Sequence, residues 1–156
     1  MVAVVQLALT RHTGSTEGVI TDWYRDRSAT VRAEFQRVVK DLRIVPAVRW
    51  SRPDYDYLED GVGEIRFKKD HVQWRPLGFF VPRPIADRVI RDLGFDPQRE
   101  SEVFVLVVGA SKKQGSRRGR EHENWNPRNA KESAIRIRND VITRGGEGVA
   151  FHVLEF

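Results

Sequence analysis

The sequence predicts an α+β domain: a twisted antiparallel sheet flanked by an N-terminal helix or helix pair and a C-terminal helix. Three observations predict it. Val2–Leu9, dense in Val and Leu, reads as a strand and gives way to a helical pattern. Two central runs, Glu64–Lys68 and Val72–Val81, lie either side of a Lys69-Asp70 turn, as the arms of a hairpin do. Val103–Val108 is nearly all apolar, which suits a strand buried on both faces and so central in the sheet. At 156 residues the chain has about the length of one domain, so 1–156 is read as a single unit.

The elements follow in order. After turn chemistry over 10–18, Thr21 and Ser28 are candidate helix caps. Val31, Phe35, Val38, Val39 and Leu42 form one apolar stripe opposite Arg32, Gln36, Arg37 and Lys40, giving a long helix or a bent pair over 17–43 that Pro46 ends. Residues 46–61 read as an irregular connection whose aromatics pack. Pro76 interrupts the second arm of the hairpin and points to an edge or a bulge, because proline has no N–H to give a ladder. Pro84–Leu93 carries a stripe at Ile85, Val89 and Leu93 with Gly94 as its stop. Asn126-Pro127 opens a second substantial helix with Ala130, Ala134, Ile137 and Val141 on one face, closed by Gly145-Gly146. Val149–Phe156 alternates as a last strand. Helices before and after a strand meander favour α+β over a doubly wound sheet.

Composition removes several classes of function. The chain has no cysteine, which excludes disulfides, thiolate zinc sites and a cysteine nucleophile. His12, His71, His122 and His152 are too dispersed for a metal motif, and neither a phosphate-loop fingerprint nor a G-x-S-x-G elbow occurs. No metal or cofactor is expected. The longest apolar run, Val103–Ala110, falls well short of the ~20 residues that span a bilayer. The apolar N-terminus lacks the positive charges that precede a secretory signal, so no membrane contact and a cytoplasmic location are expected.

The charge is concentrated. The net charge is +5, and Lys112, Lys113, Arg117, Arg118 and Arg120 supply five positive charges within one acid-free stretch, so the remainder is neutral overall. Such a patch suits a phosphate backbone, whose neutralisation releases condensed counterions; a solvated basic loop would have the same composition. Trp125, flanked by Asn124 and Asn126 beside this stretch, could stack a base or pack beneath the following helix. Trp74, Phe79 and Phe80 read as core.

The order of motifs resembles the RelE/HigB superfamily of toxins, in the branch of phage-derived host-killing or addiction-module proteins. The residues that carry the likeness are Glu64-Ile65-Arg66-Phe67, Trp74-Arg75 with Phe79-Phe80, Gly109 with Lys112-Lys113, and Ala134 with Arg136 or Arg138. Relative to that pattern, residues 82–101 are an insertion and 145–156 a C-terminal extension. The resemblance implies a RelE-like fold and a ribosome-dependent mRNA endonuclease neutralised by an antitoxin; other members of the wider superfamily inhibit DNA gyrase. RNA or the ribosome and a cognate antitoxin are the partners it implies, and self-association stays open.

Metal-free RNA cleavage needs a base for the 2′-OH, positive charge on the phosphorane and a proton for the departing 5′-oxygen. Glu64, Arg66 and Lys68 alternate along one strand and so share a face, which Arg75 could join from the neighbouring strand. Arg66, Lys68, Arg75, Lys112 and Lys113 are the candidate phosphate ligands, Glu64 or His71 the proton acceptor, with His122 a further option. Arg117, Arg118, Arg120 and Trp125 would extend the nucleic-acid surface. The competing readings are a non-catalytic nucleic-acid- or protein-binding homologue and a phage structural protein whose basic loop docks on a neighbour.

Overall fold

The computed structural model describes residues 1–10, 16–113 and 124–156. Strand β1 (Val2–Thr10) and β2 (Thr16–Gly18) are followed by helices α1 (Val19–Arg25) and α2 (Ala29–Arg43). The helical stretch is therefore a bent pair, and Ser28 caps the second member by accepting a hydrogen bond from the Val31 N–H at 3.3 Å. Thr21, the other expected cap, lies inside α1. The first turn of α1 is served from another strand instead. The buried Gln6 of β1 accepts from the N–H groups of Ile20 and Thr21 at 2.8 Å each, and its amide donates to Thr21 Oγ1 and the Val153 carbonyl at 2.7 Å.

After a 3₁₀ turn at Ala47–Arg49, β3 (Tyr55–Glu59) forms one edge of a sheet. This corrects the irregular connection expected over 46–61: Tyr55 is buried and Tyr57 exposed but both face away from Asp56, as an edge strand allows, and the flanking prolines and glycines mask the pattern. β3 pairs with β4 (Val62–Ile65). The expected hairpin exists but is split across two sheets. β5 (Phe67–Lys69) and β6 (Val72–Trp74) form its tip, while β4 pairs with β7 (Leu77–Phe80) at its base. The crossings fall at Arg66 and at Arg75–Pro76, where the Pro76 carbonyl accepts from the Ile65 N–H at 2.9 Å. β8 (Glu102–Val108) crosses at the same level through Gly109–Ala110 into β9 (Ser111–Lys112). Gly109 is needed there, because a Cβ would stand 2.1 Å from Cγ of Trp23.

The larger sheet runs β11 (Phe151–Val153)-β1-β8-β7-β4-β3, with β2 beside β1; the smaller runs β10 (Trp125–Asn126)-β9-β6-β5. The larger sheet is mixed, which corrects the antiparallel expectation: β1 and β8 are parallel from Val2↔Glu102 to Gln6↔Leu106. The reason is topological. The α1–α2 crossover returns the chain at the far edge, and three antiparallel steps from β3 bring β8 beside β1 in the same direction.

β8 is central and buried on both faces, as its composition requires. Val103, Val105 and Val107 pack with Ile85 and Val89 of α3 (Arg83–Asp92) and with Ala134 and Val141 of α4 (Ala130–Thr143). Phe104 and Leu106 join Ile20 of α1 and Phe35 and Val38 of α2 on the other face. The architecture is α+β with helices against both faces of the main sheet. Residues 83–92 of the segment read as an insertion are thus α3, and the last strand is short, pairing with β1 through Val5↔Val153 and Leu7↔Phe151. Among the described residues no helix is long and apolar enough to cross a membrane.

Candidate nucleic-acid interface

The seam where three strands pass between the sheets gathers charge. Glu64 on β4 is 1% exposed, and its Oε1 accepts from Arg66 Nη1 at 2.8 Å. Arg75 Nε lies 3.8 Å from the same oxygen, and Lys112 Nζ lies 4.0 Å from Oε2. Arg66 also stands 3.7 Å from Asp56 of β3. Oε2 of Glu64 is buried and has no hydrogen-bond partner among the described residues. Burial pushes the Glu64 carboxyl above its usual range, against the opposing pull of Lys112, Arg75 and Arg66 and with a small push from Asp56. Burial likewise lowers Arg75, with Arg66 adding to the effect and Glu64 resisting it.

Three of the five expected strand and loop cations, Arg66, Arg75 and Lys112, therefore converge on a buried carboxylate, while Arg66, Lys68 and Arg75 also line a hollow of about 300 Å³ beside Arg37 and Glu34. Arg75 is 6% exposed and spends its N–H groups on the Phe67 and Trp74 carbonyls at 3.1 and 2.7 Å and on Gln73 Oε1 at 3.2 Å. It is a pin between β5 and β6, which corrects its assignment as a phosphate ligand. Glu64 cannot take a proton from a nucleotide while its carboxylate is sealed from the surface. Lys68 is exposed and sits across Gln73 from Lys112, so the two lysines share one face of the small sheet.

Beside the seam lies an open cleft of about 730 Å³, lined by His71, Ser111, Lys112, Lys113, Trp125 and Arg128 among the described residues. Its geometry is set by backbone. Asp70 and His71 form the two-residue turn between β5 and β6, both with positive φ (55° and 63°). The Asp70 carboxylate accepts from Ser28 Oγ at 3.2 Å and Thr30 Oγ1 at 3.1 Å, tying the turn to the start of α2 and fixing where His71 projects. Lys113 N–H donates to the Asn124 carbonyl at 3.0 Å, which brings these two residues together at the cleft rim. His71, Lys113 and Arg128 are exposed, and no ion pair holds Lys113 or Arg128 among the described residues.

Trp125 is 4% exposed, packs with α4 and carries the Lys112 ammonium 4.4 Å from its ring centre. It is core with a cation on its face, the packing alternative of the two that its sequence context left open. Arg117, Arg118, Arg120 and His122 lie outside the described residues. Sequence reasoning missed Arg128 and Asp56. Arg128 stands just past the W-x-P turn, beyond the acid-free run that drew attention, and Asp56 was hidden with β3. Among the described residues no group of three or more histidine or acidic side chains could hold a metal ion. No family model, curated protein or solved structure matches the chain.

Proposed function

We propose that this cleft binds the phosphate backbone of RNA and that the protein is a toxin-like, metal-independent endoribonuclease acting on mRNA at the ribosome, in the cytoplasm, under the control of an antitoxin. The observation that carries the reading is the cleft itself: an exposed imidazole beside Lys113 and Arg128, cations without ion-pair partners among the described residues. His71 takes the 2′-OH proton as the 2′-oxygen attacks phosphorus. Lys113 and Arg128 hold the charge that builds on the phosphorane. The P–O5′ bond breaks, and the 5′-oxygen takes its proton from a cleft lysine or from solvent. Incubation with translating ribosomes and mRNA tests this. New 5′-hydroxyl ends should form with or without chelator and disappear in His71→Ala; no new ends with the wild-type protein would refute it.

One observation favours a second reading, a binding module that does not cut. His71 is the only imidazole or carboxylate among the described lining residues, so the cleft offers a single side chain for acid–base work. Tight, salt-dependent RNA binding without cleavage supports this module, and absence of binding at about 50 mM salt excludes both readings.

A further inference from the structure

Lys112 differs from the other cleft cations in being already held. Its side chain is 20% exposed, and its ammonium lies between Glu64 Oε2 at 4.0 Å and the Trp125 ring at 4.4 Å. At that separation the attraction to a buried carboxylate is appreciable, yet among the described residues no hydrogen bond to Oε2 fixes its direction. The other neighbours of Glu64 are committed elsewhere. Arg66 takes Oε1 and is shared with Asp56, and Arg75 is anchored on Phe67, Trp74 and Gln73. Lys112 alone among these cations also lines the cleft.

We propose that Glu64 is a positioning residue that holds the Lys112 ammonium back from the cleft, so that losing the carboxylate charge releases Lys112 to a phosphate and tightens binding. The inference rests on reading the cleft as a phosphate site. The charged groups facing Glu64 are Asp56 from β3, Arg66 at the β4–β5 crossing, Arg75 after β6 and Lys112 from β9, with Arg52 adding a weaker, more distant charge. Acid acts in the same direction as substitution. Burial favours the protonated carboxyl, so a falling pH neutralises Glu64 and frees the lysine. The pH experiment is done with His71 replaced, so that its readout belongs to Glu64 and Lys112.

The test is binding of an uncleavable 2′-O-methyl decanucleotide to the full chain as a function of salt. Each single-strand phosphate contact contributes about −0.7 to the slope of log K against log salt. Glu64→Gln should steepen the slope by about 0.7 and tighten binding several-fold, and both gains should vanish in a Lys112→Ala background. A folded Glu64→Gln with the wild-type slope, or with weaker binding, overturns the proposal. If Glu64→Gln does not fold, His71→Gln is compared with His71→Gln/Lys112→Ala as the pH is lowered. The slope should steepen in the first alone, and an equal response in both overturns the proposal. Failure of the cleft reading shows itself separately, as wild-type slopes for Lys113→Ala and Arg128→Ala.

Discussion

Replacing Arg75 with methionine separates a pin of the seam from a ligand for phosphate. The side chain is 6% exposed and makes hydrogen bonds to the Phe67 carbonyl, the Trp74 carbonyl and Gln73 Oε1, with Nε 3.8 Å from the buried Glu64. Methionine matches the stem but takes one donor from each of two carbonyls and removes one cation from a buried carboxylate. Removing one partner of a buried charge pair costs about 3–5 kcal/mol. Glu64 keeps Arg66 and Lys112, so the lower end, about 3 kcal/mol, is expected. An unfolding entropy of about 2.1 cal/mol/K per residue gives roughly 0.33 kcal/mol/K for 156 residues, hence a fall in Tm of about 9 °C. Calorimetry or far-UV circular dichroism measures it. Arg75→Lys keeps the charge but cannot fork between the two carbonyls, and should recover only part of the loss. At a temperature where both variants are folded, oligonucleotide binding should match wild type. A variant that melts within about 2 °C of wild type yet loses the salt dependence of binding would place Arg75 in the interface and refute the reasoning.

Other outcomes follow from the same geometry. Gln6→Leu strands the N–H groups of Ile20 and Thr21 and takes one donor from the Val153 carbonyl; chemical denaturation should show a loss of about 3 kcal/mol, and a loss under about 1 would mean these groups find other partners. Gly109→Ala puts a Cβ 2.1 Å from Trp23 Cγ, so stability should drop by about 1–3 kcal/mol with a changed near-UV spectrum; an unchanged protein contradicts the packing at the crossing. Glu64 is raised above its ordinary 4.5, so its contribution is fully present below that value and is lost as pH climbs through the higher folded-state pKa. Glu64→Gln suffers no such loss. Its Tm relative to wild type should rise from pH 5 to pH 8 (about the window above the ordinary carboxyl value), and a flat difference contradicts the buried charge.

Much of the architecture is legible in residue pattern because it follows from burial. The all-apolar Val103–Val108 announces a strand covered on both faces, and the Val31–Leu42 stripe announces a helix lying on one of them. What the pattern hides is non-local. Nothing along the chain shows that Gln6 caps a helix beginning at Val19, or that β1 lies parallel to β8, since both depend on where the crossover returns the chain. β3 is obscured because an edge strand hemmed by Pro53 and Gly61 carries turn residues at both ends. The candidate site divides in the same way. Alternation brings Glu64 beside Arg66 as two-residue spacing requires, but spacing is silent on depth, and depth turns Glu64 and Arg75 from surface chemistry into a sealed cluster. Arg128 enters the cleft only because β10 pairs with β9, a contact across the whole of 114–123.

The central claim is that exposed cations at the β6–β9–β10 cleft, unpaired among the described residues, take a phosphate backbone. The salt dependence of oligonucleotide binding to Lys113→Ala/Arg128→Ala tests it most directly. With the melting temperature unchanged, the slope of log K against log salt should become shallower by about 1.4, two contacts' worth. A slope equal to that of the wild-type protein would contradict it.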